Sequence, residues 1–77
     1  MPQTTTLDVR NQSCPLPIVR AAQAIREIGT GDLLEVIATD RGALSDVPSW
    51  CTTTGNELLE KGEEDGEFRF LIRKVTS

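Results

Sequence analysis

Histidine and tyrosine are absent from this 77-residue chain, cysteine occurs only twice, and the aromatic side chains amount to two phenylalanines and one tryptophan. Without imidazole the common general bases reduce to carboxylates and amines, and a histidine-built zinc site is excluded. Two cysteines without histidine make a poor zinc set, so neither a metal nor a cofactor is expected. A self-contained hydrolase is hard to assemble from what remains. Cations are the scarcer charge: eight Lys and Arg stand against twelve Asp and Glu, for a net charge of −4. A nucleic-acid domain usually needs a basic face to neutralise phosphates and release counterions, so direct RNA or DNA binding is not expected. Long apolar runs are missing as well. The longest, such as Phe70-Leu71-Ile72, fall far short of the roughly 20 residues that span a bilayer. Met1 to Thr6 carries neither the basic nor the apolar stretch of a signal peptide. No membrane association is expected, and the expected location is the cytoplasm. In that reducing compartment a structural disulfide between Cys14 and Cys51 is not the default.

What is present is ordinary globular usage, 38% hydrophobic and 26% charged, enough for one small domain over residues 1–77. Thr6 to Arg10 alternates apolar and polar at period two, the mark of a half-buried strand. From Pro15 to about Ile28 the residues Ile18, Ala21, Ala22, Ile25 and Ile28 fall at helical spacing, and Gly29-Thr30-Gly31 closes the helix. A second strand, Asp32 to Thr39, turns Leu34, Val36 and Ala38 to the core and Leu33, Glu35, Ile37 and Thr39 to the other face. Leu44, Val47, Trp50, Cys51 and Thr54 then line one side of a second helix. Pro48 is tolerable only in a first turn, which sets the regular start near Asp46, with Ala43 to Ser45 a looser approach. Gly55 stops it. Glu57 to Lys61 reads as a short strand, Asp65-Gly66 as a hairpin turn, and Phe68, Phe70 and Ile72 alternate along a last strand.

The order β-α-β-α-β-β predicts an α/β two-layer sandwich, a mixed four-stranded sheet with two helices on one face. Right-handed crossovers make the first three strands mutually parallel, and the hairpin reverses the fourth. The carboxyl ends of the parallel strands and the amino ends of both helices then share one edge of the sheet, the usual place for a site in open α/β folds. Cys14 belongs to that edge. In Cys14-Pro15-Leu16-Pro17 the cysteine is the expected N-cap, and both prolines are permitted because first-turn N–H groups have no helical partner. The N–H groups of Leu16 and Ile18 are expected to point outward. With the helix dipole they favour a thiolate, whose pKa in such positions falls from about 8.5 into the range of about 3.5 to 7.5. Arg10 and Arg41 end the first two strands and are candidates to stabilise an anion on Cys14. Cys51, beside Trp50, is expected to be core packing, and Arg20 a solvated face. The acidic hairpin of Glu63, Glu64, Asp65 and Glu67 is expected to solubilise, and to sit some 14 Å from Cys14 if the third strand is the far edge, at about 4.8 Å per strand.

Cys-Pro-x-Pro after a Leu-Asp-x-Arg strand, a Gly-Asp strand ending Ala-Thr-Asp, a Trp-Cys helix ending Gly-Asn-Glu-Leu-Leu, and Glu-Glu-Asp-Gly-Glu-Phe-Arg-Phe-Leu-Ile-Arg-Lys together resemble the TusA/SirA-type sulfur carrier proteins. The resemblance runs from about Leu7 to Lys74. It implies a sulfurtransferase-like carrier in which Cys14 holds a persulfide. The sulfur comes from a donor protein such as a cysteine desulfurase or rhodanese and goes to an acceptor protein, in tRNA thiolation, molybdenum cofactor assembly or sulfur oxidation. Two alternatives stay open on the residues alone. One is a non-catalytic interaction module docking through the Pro-rich helix start and an outer apolar face of Leu33, Ile37 and Leu71. The other is a Cys14/Cys51 redox pair.

Overall fold

In the structure, a computed structural model describing residues 3–13 and 16–75, the chain runs β1 (Thr4–Val9), α1 (Leu16–Glu27), β2 (Leu33–Ala38), α2 (Ala43–Thr54), β3 (Glu57–Glu64) and β4 (Glu67–Arg73). The strands make one mixed sheet in the order β1-β2-β4-β3. β1 lies parallel to β2 with Val9 against Ala38, and β2 lies antiparallel to β4 with Ala38 against Phe68. β3 points the same way as β1 and β2, as expected, but it pairs only with β4, which the hairpin inserts at the centre. The central pair is held by strict alternation. Leu34, Val36 and Ala38 interleave with Phe68, Phe70 and Ile72 on one face, each 2% exposed or less, and a period of two puts all six side chains on that side.

Both helices cover this face. α1 buries Pro17, Ala21 and Ile25, four residues apart, and α2 buries Ala43, Val47 and Cys51 at the same spacing; together with the inner strand residues they form the core. Ile18, Ala24, Ile28, Leu44 and Trp50 pack around its rim. α2 departs from the sequence expectation. It is regular from Ala43, not from Asp46, so Pro48 lies inside the helix. Its first turn is wound by N–H groups of Ala43 and Leu44 donating to the carbonyls of Asp40 and Arg41, and by Ser45 and Asp46 sharing the carbonyl of Gly42. Those bonds start the helix before the proline can set its boundary. At the other end Gly55 takes φ 81° and donates its N–H to Cys51, the left-handed closure that favours glycine.

β3 is also longer than expected, reaching Glu64 through Lys61 and Gly62, with a bulge between Leu58 and Glu60. Asp65 and Gly66 both have positive φ, 52° and 79°, the two-residue hairpin geometry that suits strand twist. β1 likewise begins at Thr4 and not Thr6. The opposite sheet face carries Leu33 and Leu71 half-buried and Ile37 9% exposed. Beside them Arg69 pairs with Glu35 and Glu67, and Arg73 with Glu57. The expected apolar outer surface is therefore overlaid by ion pairs, within β4 and across strands. Among the described residues no helix is long and apolar enough to cross a membrane.

Phe70 is the largest fully buried side chain. Phe70→Ala is expected to cost about 3–5 kcal/mol, and Val19→Ala, at 46% exposure on α1, about 0.5 kcal/mol or less. Urea unfolding followed by the single tryptophan checks both, and equal midpoints for the two variants would contradict the core described above.

Candidate functional site

Because Val9 turns into the core, its neighbours Asp8 and Arg10 turn to the open face of the sheet. There Arg10 grips Asp8 through two parallel bonds, Nε to Oδ1 at 2.9 Å and Nη2 to Oδ2 at 2.8 Å, while Nη1 reaches Glu67 at 3.1 Å. The hydrogen bonds from Arg10 hold the Asp8 carboxyl down at about 2, and the two carboxylates push the guanidinium further up. The hairpin therefore does not stand wholly apart from the first strand. Because β4 lies next to β2, its first residue Glu67 comes within reach of Arg10. Arg10, a candidate anion stabiliser, has its charge matched by two carboxylates. Arg41 is exposed, with no ion pair among the described residues. Arg20 is exposed, as expected.

The loop between β1 and α1 is tied down at several points. Asn11 takes φ 65°, a left-handed conformation that asparagine tolerates, and its N–H donates to Thr39 Oγ1 at 2.8 Å. That bond joins the β1–α1 loop to the end of β2. The N–H of Gln12 returns to the carbonyl of Val9, and the N–H of Leu16 donates to Ser13 at 3.0 Å. The Leu16 N–H is thus used within the turn and does not point outward as expected. Pro17 is buried and anchors the helix start against the core. Gln12 Oε1 is buried and accepts no hydrogen bond among the described residues. Cys14 and Pro15, the expected nucleophile and first proline, lie outside the described residues, between Ser13 and Leu16. Leu16 and Val19, 44% and 46% exposed and three residues apart on α1, give this helix end an apolar outer surface.

The sequence placed Thr39 on the outer face of the second strand and Glu67 in a solubilising hairpin, but not the bonds they make to Asn11 and Arg10. A hydroxyl at the last position before the second turn is a weak signal for Thr39. For Glu67 there is none, since its partner lies 57 positions away and is brought close only by the strand order. Cys51 lies where the sequence put it. It is a free thiol, 2% exposed on the buried side of α2, and burial pushes its pKa up to about 11. It is a thiol, and a poor nucleophile, at neutral pH. Among the described residues no three metal-binding side chains come together.

The sequence matches the family model described as Sulfurtransferase TusA over residues 5–74. A sulfur carrier protein TusA of Allochromatium vinosum is 47% identical over 68 residues, covering 88% of this chain and 90% of that protein. One from Pseudomonas putida is 41% identical over 68 residues, covering 88% and 85%. Among solved structures, a SirA-like protein from Desulfitobacterium hafniense superposes with a TM-score of 0.81 at 26% identity, over 92% of this chain and 97% of that one.

The raised pKa of Cys51 has a pH consequence. Its folded-state value lies above the ordinary 9.0, so the folded protein holds this proton more tightly than the unfolded chain does. The stabilisation is complete below pH 9 and is lost as pH rises through about 11. Melting temperature is expected to fall across that window more steeply in the native chain than in Cys51→Ala. Parallel melting curves for the two proteins would show that the thiol is not shielded from water.

Proposed function

The chain belongs to the TusA family of sulfur carriers, and from that premise we propose that Cys14 carries sulfur as a persulfide between two partner proteins. The Cys14 thiolate attacks the outer sulfur of a donor persulfide, R–S–SH. The donor S–S bond breaks, its electron pair leaves on R–S⁻, and Cys14–S–SH forms. An acceptor thiolate then attacks that outer sulfur and Cys14 leaves as thiolate. Atoms and charge balance without a metal, an organic cofactor or a base, once the thiol is ionised. This economy suits a chain with no histidine.

One observation carries the assignment to Cys14 rather than Cys51: the only other sulfur nucleophile is buried and held protonated. Supporting features surround the motif. Pro17 fixes the start of α1, and the Asn11 to Thr39 bond holds the approach to it. The exposed Leu16 and Val19 offer donor and acceptor proteins an apolar surface beside the reactive cysteine. The donor is a persulfide-forming protein of the desulfurase or rhodanese type and the acceptor a second thiol protein. Arg41, free of ion pairs among the described residues, is the better placed of the two arginines to meet an anion. A carrier whose thiol must return reduced after each transfer works in a reducing compartment, the cytoplasm.

Cys14→Ser is expected to keep the native melting temperature within a few degrees, since serine is itself a favoured N-cap, and to lose sulfur loading entirely. Cys51→Ser is expected to lose about 1–3 kcal/mol through a hydroxyl placed in the core and still to load. Intact mass after incubation with a persulfide donor, read beside thermal melts, checks both. Retention of the added sulfur by Cys14→Ser would put the chemistry elsewhere.

A further inference from the structure

At the opposite end of the helices from the Cys-Pro-x-Pro motif, a groove of about 240 Å³ opens between α1 and α2. Its walls include Ile25 and Arg26 of α1, Trp50 and Thr54 of α2, and Asn56 and Lys74 from the segments flanking the β3–β4 hairpin. The polar floor is internally bonded. Asn56, 8% exposed, donates through Nδ2 to Thr54 Oγ1 and accepts the N–H of Val75, and Thr54 donates to the carbonyl of Trp50.

The cations are different. Lys74 is 8% exposed, and among the described residues its ammonium makes one hydrogen bond, to the carbonyl of Ile28 at 2.7 Å. That bond caps the end of α1 and uses one of three N–H donors. Neither Lys74 nor Arg26, in the last turn of the same helix, has a carboxylate partner among the described residues. Buried charges are normally paired because desolvation is costly. Lys74 is thus a buried cation with no carboxylate partner among the described residues, and the exposed Arg26 places a second cation at the same groove in a chain whose net charge is −4.

We propose that this groove binds a small organic monocarboxylate, with its apolar body on Trp50 and Ile25 and its carboxylate facing Lys74 and Arg26. The size fits. The volume lies below the roughly 300–1,000 Å³ of sites for drug-sized ligands, which leaves room for a single ring or a short chain. Planar guanidinium and ammonium donors suit a carboxylate, and a half-buried indole gives an aromatic or aliphatic body a face to cover. The site is independent of Cys14, so its fate does not depend on the sulfur-carrier reading.

Benzoate and its neutral analogue benzamide, titrated into the ¹⁵N-labelled full-length protein, test this by chemical-shift mapping. Benzoate is expected to saturate with a Kd on the order of a millimolar, in line with so small a ligand. The shifts should concentrate on the Trp50 indole N–H, the Arg26 side chain and the backbone from Thr54 to Asn56. Benzamide, Arg26→Gln and Lys74→Met should each weaken binding about tenfold or more. Should Lys74→Met fail to fold, the exposed Arg26→Gln decides, with Arg26→Lys expected to recover most of the affinity. Unsaturable or scattered shifts, equal binding of benzamide, or unchanged affinity in Arg26→Gln would overturn the proposal.

Discussion

The antiparallel pairing of β2 with β4 is the constraint on which the rest of the structure rests. Leu34, Val36 and Ala38 meet Phe68, Phe70 and Ile72 across this pair, and the resulting apolar strip is what both helices cover. Its register also sets the working edge. Ala38 opposite both Val9 and Phe68 brings the end of β1, the end of β2 and the start of β4 to one line. The β1–α1 loop, the β2–α2 turn and Glu67 therefore become neighbours although they come from three distant parts of the chain. A slip of one residue in this pairing would turn the core side chains to solvent and separate Arg10 from Glu67 together.

The same register decides how charge is laid out. Arginines of the open face pair with carboxylates across strands, Arg69 with Glu35, Arg73 with Glu57 and Arg10 with Glu67, and two positions away along the chain, Arg69 with Glu67 and Arg10 with Asp8. Each pair is about half exposed and on its own contributes little to stability. Their combined effect is on the surface they make. A face that would otherwise show Leu33, Ile37 and Leu71 to passing chains is covered by matched charge, and β3 shields the sheet edge with Glu57, Glu60, Lys61, Glu63 and Glu64. Of the large apolar side chains that stay exposed, Leu16 and Val19 lie on α1 beside the motif, while Leu59 lies on β3 and Val75 just beyond β4.

The strands and helices were legible because each has one face to bury. Period two in Leu34-Glu35-Val36-Ile37-Ala38 and in Phe68-Arg69-Phe70-Leu71-Ile72 reports sidedness directly, and the spacing of Ala21 and Ile25 does so for α1. Asp65-Gly66 announced its turn because few other pairs accept positive φ twice. Cys14 stood out by its proline context. The insertion of β4 between β2 and β3 was not legible, since strand order is decided by contacts far apart in sequence. The Arg10 to Glu67 bond follows from that order and was hidden with it, while the bond from Asn11 to Thr39 depends on the turn after β1 and was hidden by its left-handed backbone. Pro48 misled for a local reason: the carbonyls of Asp40, Arg41 and Gly42 begin α2 ahead of it, so the proline is carried inside a turn that is already wound.

Helix polarity joins the two ends of the molecule in one argument. Both helices run antiparallel to the strands that precede them, so their amino ends gather at the edge that holds the Cys-Pro-x-Pro motif and their carboxyl ends at the far side. An amino end favours an anion, which is what a thiolate or persulfide is. A carboxyl end favours cations, and Arg26 and Lys74 are found there, Lys74 bonded to the carbonyl of Ile28 just past the end of α1. On the proposed function, a sulfur anion on Cys14 would draw on peptide dipoles, since Arg10 is engaged by carboxylates. The far groove, in turn, holds two cations because the helix ends attract them. The helix end takes one hydrogen bond from Lys74, a residue that also lines the groove. The edge that holds the Cys-Pro-x-Pro motif and the cationic groove at the far side are set apart by a single choice, the direction in which α1 and α2 cross the sheet.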